Sequence, residues 1–140
     1  AGLTSAYTIS DAKLVWVAEL KGALYERAGQ WQQALKVYSE LPQTRWALLS
    51  YRGLLRMGRC QRELGQLPAA EASLRRGLVL WPSSPELHHE LALVLQRAGR
   101  LPEARQAVQA ALQVWSAADA EYELSKRARE LAASLGPVSP

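Results

Sequence analysis

Three glycines punctuate this chain at nearly even intervals. Gly29, Gly65 and Gly99 stand 36 and 34 residues apart, each between two amphipathic stretches. Glycine takes the left-handed conformation that closes a helix at little cost, so each marks a helix end and a tight turn. Aligning the chain on them brings other positions into register. Gly22, Gly58 and Ala92 lie seven residues before the glycine, and Ala34, Ala70 and Ala104 five after it. Small residues at fixed places in successive units mark points where two helices approach closely. Trp31, Leu67 and Leu101 lie two residues after, Tyr38, Leu74 and Val108 nine after, and Leu41, Gly77 and Ala111 twelve after. In the middle unit Leu54, Met57 and Leu64 recur at helical spacing before the turn, as do Leu74, Leu78 and Trp81 beyond it. The chain is therefore predicted to be all-α, built of helical hairpins that stack.

A period near 34 with two close-approach positions per unit resembles the tetratricopeptide repeat. The resemblance covers about Val15 to Ser116 in three units, and implies a right-handed α-solenoid of helix-turn-helix repeats. Two departures stand out. The family's early tryptophan is replaced by Ala18, Leu54 and His88, and unit one carries two extra residues. The expected organisation is a segment over 1–10, three hairpins over 11–118, a capping helix over 119–136 and a frayed tail over 137–140.

The local signals set helix limits. Ser10 reads as the N-cap of a first helix reaching Ala28, with Asp11 in its first turn and an Ile9–Leu14 staple. Its partner runs from Trp31 to Leu41 and stops at Pro42. Thr44 caps a long helix to Leu64, whose extra turn sets Trp46 and Leu49 over the first junction. Pro68 opens the next helix, to Leu80. Ser84-Pro85-Glu86 is a cap, a first-turn proline and an acid, opening a helix that ends at Gly99. Pro102 to Trp115 is its partner. Asp119 and Gly136-Pro137 bracket a last helix with one apolar stripe, Leu124, Ala128, Leu131 and Leu135, and polar outer faces. It is expected to cap the array.

Composition excludes several classes. No apolar run approaches the ~20 residues of a membrane span. The opening AGLTSAYTIS lacks the charged and apolar regions of a signal peptide, and also lacks Met, as expected of a piece cut from a longer chain or of a processed product. The absence of Asn and Phe, with 13 Arg against 4 Lys, matches a GC-rich bacterial genome. One cysteine precludes an internal disulfide and does not separate cytoplasm from periplasm. No catalytic constellation can be assembled. Cys60 sits on an interior face with no base placed beside it and reads as a small buried apolar side chain. His88 and His89 are adjacent, not at the i,i+4 spacing of a helical metal pair. His88 holds a core position and His89 faces inward. No phosphate-binding glycine loop occurs. No enzyme activity, metal or cofactor is expected.

The remaining signal is electrostatic. Residues 42–84 hold seven arginines against two glutamates, while the segments on either side are neutral or nearly so. Arg52, Arg56, Arg59 and Arg62 share one helix face. In the family that this chain resembles, the first helix of each unit lines a concave groove that takes up an extended peptide or a helix. Carried over, the groove positions are Trp16, Glu19, Leu20, Ala23 and Glu26 in unit one. Unit two gives Arg52, Leu55, Arg56, Arg59 and Arg62; unit three gives Glu86, His89, Glu90, Leu93 and Gln96. The family's chaperone-binding members grip a C-terminal carboxylate with Lys and Asn. Here those positions hold Glu19, Ala23 and Arg59, which gives no such clamp. The arginine stripe has two readings. It is an acidic-peptide site, or it is neutralised from the flanking helices, Arg52 and Arg56 by Glu86 and Glu90, and Arg59 by Glu26. Nucleic acid is not an expected partner, because the basic area is small and lacks stacking aromatics.

The expected function is a non-catalytic protein–protein interaction module. Leu20, Leu55 and Leu93 supply apolar contact, and Arg52, Arg56 and Arg59 polar selectivity. The alternative is a structural spacer or self-association domain in a larger bacterial protein. The first helix motivates that alternative, being apolar on more than one face: Leu14, Val15, Trp16, Val17, Leu20, Leu24 and Tyr25. Three covers are open to it: residues 3–9 folding back, a preceding repeat, or a second copy of the chain; the expectation is a two-fold dimer through this helix, with Lys13 and Lys21 at the rim.

Overall fold

The computed structural model describes residues 9–40, 47–115 and 122–137; for 9–12, 14 and 47–50 it describes backbone only. Among these residues there are seven helices and no strand. They are α1 (Ile9–Arg27), α2 (Trp31–Glu40), α3 (Ala47–Glu63), α4 (Leu67–Leu80), α5 (Pro85–Arg97), α6 (Leu101–Val114) and α7 (Glu123–Leu135). Each packs against the next, and α3 also meets α5, so first helices lie beside first helices along the array. None is long and apolar enough to cross a membrane.

The turn glycines do what their spacing predicts. Gly29, Gly65 and Gly99 have φ of 69°, 75° and 75°, and Gly136 closes α7 at 78°. After each of the first three, the next amide reaches back to close the helix end: Gln30 to Tyr25, Gln66 to Gln61 and Arg100 to Leu95, at 2.8–2.9 Å. The close-approach positions are equally literal. A Cβ on Gly22 would lie 2.4 Å from the Tyr38 ring, and one on Gly58 2.6 Å from Leu74. Ala34, Ala70, Ala92 and Ala104 are wholly buried. A larger core runs through α4 to α7 on Leu74, Leu87, Leu95, Val108 and Leu135. A smaller one joins α2 and α3 through Ala34, Tyr38 and Cys60.

Local signals held where capping chemistry is explicit. Ser84 accepts the Leu87 amide at 3.2 Å and Pro85 opens α5. Four expectations need correction. Helix is already formed at Ile9, so Ser10 lies inside α1 rather than at its cap. Pro68 is the second residue of α4, not the first. His88 is not a core residue: it is half-buried and its Nε2 meets the Pro82 carbonyl oxygen at 2.7 Å. The last helix likewise starts later than expected: α7 begins at Glu123 with Tyr122 at its N-cap position, so Asp119 does not cap it. The expected roles of Pro42, Thr44 and Trp46, of the Leu14 and Leu49 side chains, and of residues 3–8 and 138–140 lie outside what is described.

Candidate peptide-binding groove

The first helices α1, α3 and α5 carry every expected groove residue, and α7 follows them as a fourth wall. The stripe on α3 is tied to carboxylates on both sides. Arg52 meets Glu19 at 3.0 Å, and Arg56 meets Glu26 at 3.1 Å and the Tyr38 hydroxyl at 3.4 Å. Arg59 bridges Glu26 at 3.6 Å and Glu90 at 3.2 Å; Arg62 bridges Glu90 at 3.1 Å and Glu63 at 2.8 Å. Glu19 and Glu90 are buried, so each carboxylate depends on its guanidinium, although the Arg52 and Arg59 side chains remain 40% and 32% exposed.

The neutralised reading is therefore the observed one, with its partners corrected. Arg59 does meet Glu26, but Arg52 and Arg56 reach back to α1 instead of forward to Glu86 and Glu90. Glu86 accepts from Tyr51 at 2.9 Å. The reason is a stagger between neighbouring first helices. Counted back from each turn glycine, Glu19 is at ten and Arg52 at thirteen; Glu26 is at three and Arg59 at six; Arg62 is at three and Glu90 at nine. Each partner on the following helix lies about one or two turns nearer that helix's start. Pairing Arg52 with Glu86 and Arg56 with Glu90 assumes no stagger.

The other expected groove residues divide by place. Leu55, Leu93 and Gln96 are half-buried, and Leu55 and Leu93 pack on the larger core. Trp16 and Leu20 are 62% and 64% exposed, together with Val17 and Leu24 on the same helix. His89 is buried, with its ring edge-on to Trp115 at 6.2 Å. Burial holds its pKa below the ordinary histidine value, so the ring is neutral. Arg59, Arg62, His89 and Leu93 come together around a cavity of about 400 Å³, completed by Glu90 and by Leu124, Arg127 and Leu131 of α7. Sequence reasoning treated α7 only as a cap and missed these last three. The signal was present: Gly136 stands 37 residues after Gly99, which puts α7 in the place of a fourth first helix. Cys60 is wholly enclosed, and burial raises its thiol pKa to about 12.

Stacked hairpins whose first helices line one face define a helical-repeat array. The tetratricopeptide repeat model matches residues 19–85 and 55–123, and the chain belongs to that family. No curated protein sequence matches it significantly. Among solved structures it resembles PcrH from Pseudomonas aeruginosa, with 23% identity, 95% of this chain and 98% of that chain covered, and a TM-score of 0.78. The type III secretion translocator chaperone SycD from Yersinia enterocolitica also has 23% identity and a TM-score of 0.78, covering 96% of this chain and 93% of that chain. The TPR2B domain of yeast Sti1, solved as a pHsp70 complex, has 19% identity and a TM-score of 0.74, with 88% of this chain and 96% of that chain covered. At these identities the likeness is one of fold.

Proposed function

We propose that this chain is a non-catalytic interaction module that docks a peptide or helix of a partner protein in the groove lined by α1, α3, α5 and α7. The observation that carries the reading is the joint presentation of half-buried Leu55 and Leu93 with a cavity ringed by Arg59, Arg62 and Arg127. Apolar anchors flanked by fixed polar groups suit a peptide site. The fold relatives give independent support: SycD has been solved with a peptide of the translocator YopD, and PcrH with the chaperone-binding region of PopD. The titratable groups favour no enzyme, since Cys60 is enclosed and the two histidines serve packing and a backbone contact.

Selection from a displayed random-peptide library tests the reading. Selected peptides should lose binding to Leu55→Glu or Leu93→Glu and keep it with Arg75→Glu on α4, away from the groove. Binding that survives both leucine variants would refute the groove as the site.

The exposed face of α1 favours a second property, self-association. Trp16, Val17, Leu20 and Leu24 are each more than half exposed, an apolar patch of the kind that monomers rarely leave open. An isologous pairing of α1 would cover it, and SycD has been described in an alternative dimer. Sedimentation across concentration should show a dimer that Val17→Glu dissociates; a strictly monomeric wild type would refute it.

A further inference from the structure

The three junctions between first helices are not equivalent. At α1/α3, glutamates on α1 meet arginines on α3; at α3/α5, arginines on α3 meet Glu90. At α5/α7 the same stagger sets Arg127, nine residues before Gly136, opposite Leu93 and Gln96, six and three before Gly99. Neither is a carboxylate. Among the described residues Arg127 has only Glu123, one turn away on its own helix at 3.1 Å, with both side chains more than 60% exposed. Such a pair is worth little and yields readily to another acid.

Arg127 borders the cavity that Arg59 and Arg62 also line. Glu90, the one carboxylate in that lining, holds both α3 arginines through Nε, leaving Nη2 of each without a partner among the described residues. Three guanidiniums and one carboxylate thus line the cavity, while Glu26, Glu63 and Glu123 hold Arg59, Arg62 and Arg127 from outside its lining, and the neutral His89 ring adds no charge. The remaining wall is apolar, formed by Leu93, Leu124 and Leu131. The volume, about 400 Å³, lies within the range of small-ligand sites.

Building on the groove reading, we infer that this cavity is a specificity pocket for an apolar side chain next to an acidic one, within a partner's peptide. The leucine wall takes the aliphatic or aromatic group. Arg127, with the Nη2 atoms of Arg59 and Arg62 that meet no described partner, takes the Asp or Glu carboxylate, which a guanidinium fork matches well. The carboxylate is taken as a side chain's and not a chain end's, because the positions that grip a chain end in this family hold Glu19, Ala23 and Arg59 here.

The test uses the intact chain and acetyl-Leu-Asp-amide, followed by NMR of arginine Nε–H and leucine methyl signals. Saturable shifts are expected at Arg59, Arg62, Arg127, Leu93 and Leu124, with a roughly millimolar Kd, as for a fragment. Acetyl-Leu-Asn-amide should bind at least about tenfold weaker, the scale of one charge-assisted contact. Arg127→Gln should remove that preference without changing the fold. Equal binding of the Asp and Asn probes, or no shifts, would overturn the inference. Equal or tighter binding of acetyl-leucine with a free carboxylate would also overturn it, in favour of a chain end. Library peptides that lose binding to Leu55→Glu while sparing Arg127→Gln would sink the pocket alone and leave the groove standing.

Discussion

The repeat register makes a sharp prediction in a single helix. A Cβ added at Gly58 would sit 2.6 Å from both Cγ and Cδ2 of Leu74. Carbon atoms pack best at about 3.5–4.0 Å, so roughly 1 Å must be found. Leu74 has no exposed surface and lies in the larger core, where there is little room to yield. Overpacking of this kind costs about 1–3 kcal/mol. Replacing a helix-interior glycine by alanine returns about 0.5–1 kcal/mol. Gly58→Ala should therefore lose about 1–2 kcal/mol, or roughly 3–8 °C in Tm for a chain of this size. Gly53, on the same helix, has nothing within 4 Å of its added Cβ. Gly53→Ala should gain about 0.5–1 kcal/mol. Urea titrations and thermal melts followed by far-UV circular dichroism measure both variants against wild type. A Gly58→Ala protein as stable as Gly53→Ala would refute the close approach of α3 and α4. The recurrence of small residues seven before each turn glycine would then need another cause.

Other outcomes follow from the same structure. Ala70→Trp, at a wholly buried position on α4, should cost about 3 kcal/mol, near the upper end for inserted bulk, and a neutral melt would contradict the packing. Cys60 should react slowly with a water-soluble thiol reagent when native and rapidly in denaturant, since burial raises its pKa to about 12; fast native labelling would show the thiol accessible. His89 titrates below the ordinary value of 6.5 because burial disfavours its charged form, so the unfolded chain takes up that proton first. Its contribution should be complete above 6.5 and lost as pH falls through the lower native value. His89→Gln should flatten that part of the stability–pH curve, and an unchanged slope would count against a buried neutral ring.

Much of the fold was legible because the array is built of near-copies. The left-handed glycines, the buried alanines and the Ser84-Pro85 start each act within a few residues, and each appears more than once or carries explicit capping chemistry. Legibility failed where the determinant is not local. Ser10 has the right chemistry for a cap, yet the helix is already formed before it. His88 stands at a core position by register, but the imidazole finds the Pro82 carbonyl six residues back. At the site, Arg59 meets the expected Glu26, whereas Arg52 and Arg56 meet Glu19 and Glu26 instead of the expected Glu86 and Glu90. Periodicity makes positions equivalent without saying how far one helix slides against the next. That slide belongs to the pitch of the array, and a one-turn error moves every interhelical contact to a different side chain.

The slide also decides what the basic segment can do. Read by regions, residues 42–84 carry an excess of five positive charges between neutral flanks, which suggests a positively charged groove. In the fold that excess is dispersed. Arg52, Arg56, Arg59 and Arg62 bind Glu19, Glu26 and Glu90 from the neutral flanks and Glu63 from their own segment, and Arg75 is held by Glu71 and Glu103. Regional charge is thus not surface potential in a solenoid, because adjacent units exchange counter-ions across the α1/α3 and α3/α5 junctions. Attraction of an acidic partner depends on whichever junction fails to close that exchange. Between α5 and α7, Leu93 and Gln96 stand where a carboxylate would complete the pattern, and Arg127 keeps only an exposed neighbour on its own helix. If recognition is concentrated there, peptide affinity should weaken with salt mainly through Arg127, since the pairs at the other junctions each involve a carboxylate largely shielded from water and are screened less. Arg127→Gln should therefore flatten the salt dependence of binding, while Arg75→Gln, on α4 away from the groove, should leave its slope unchanged.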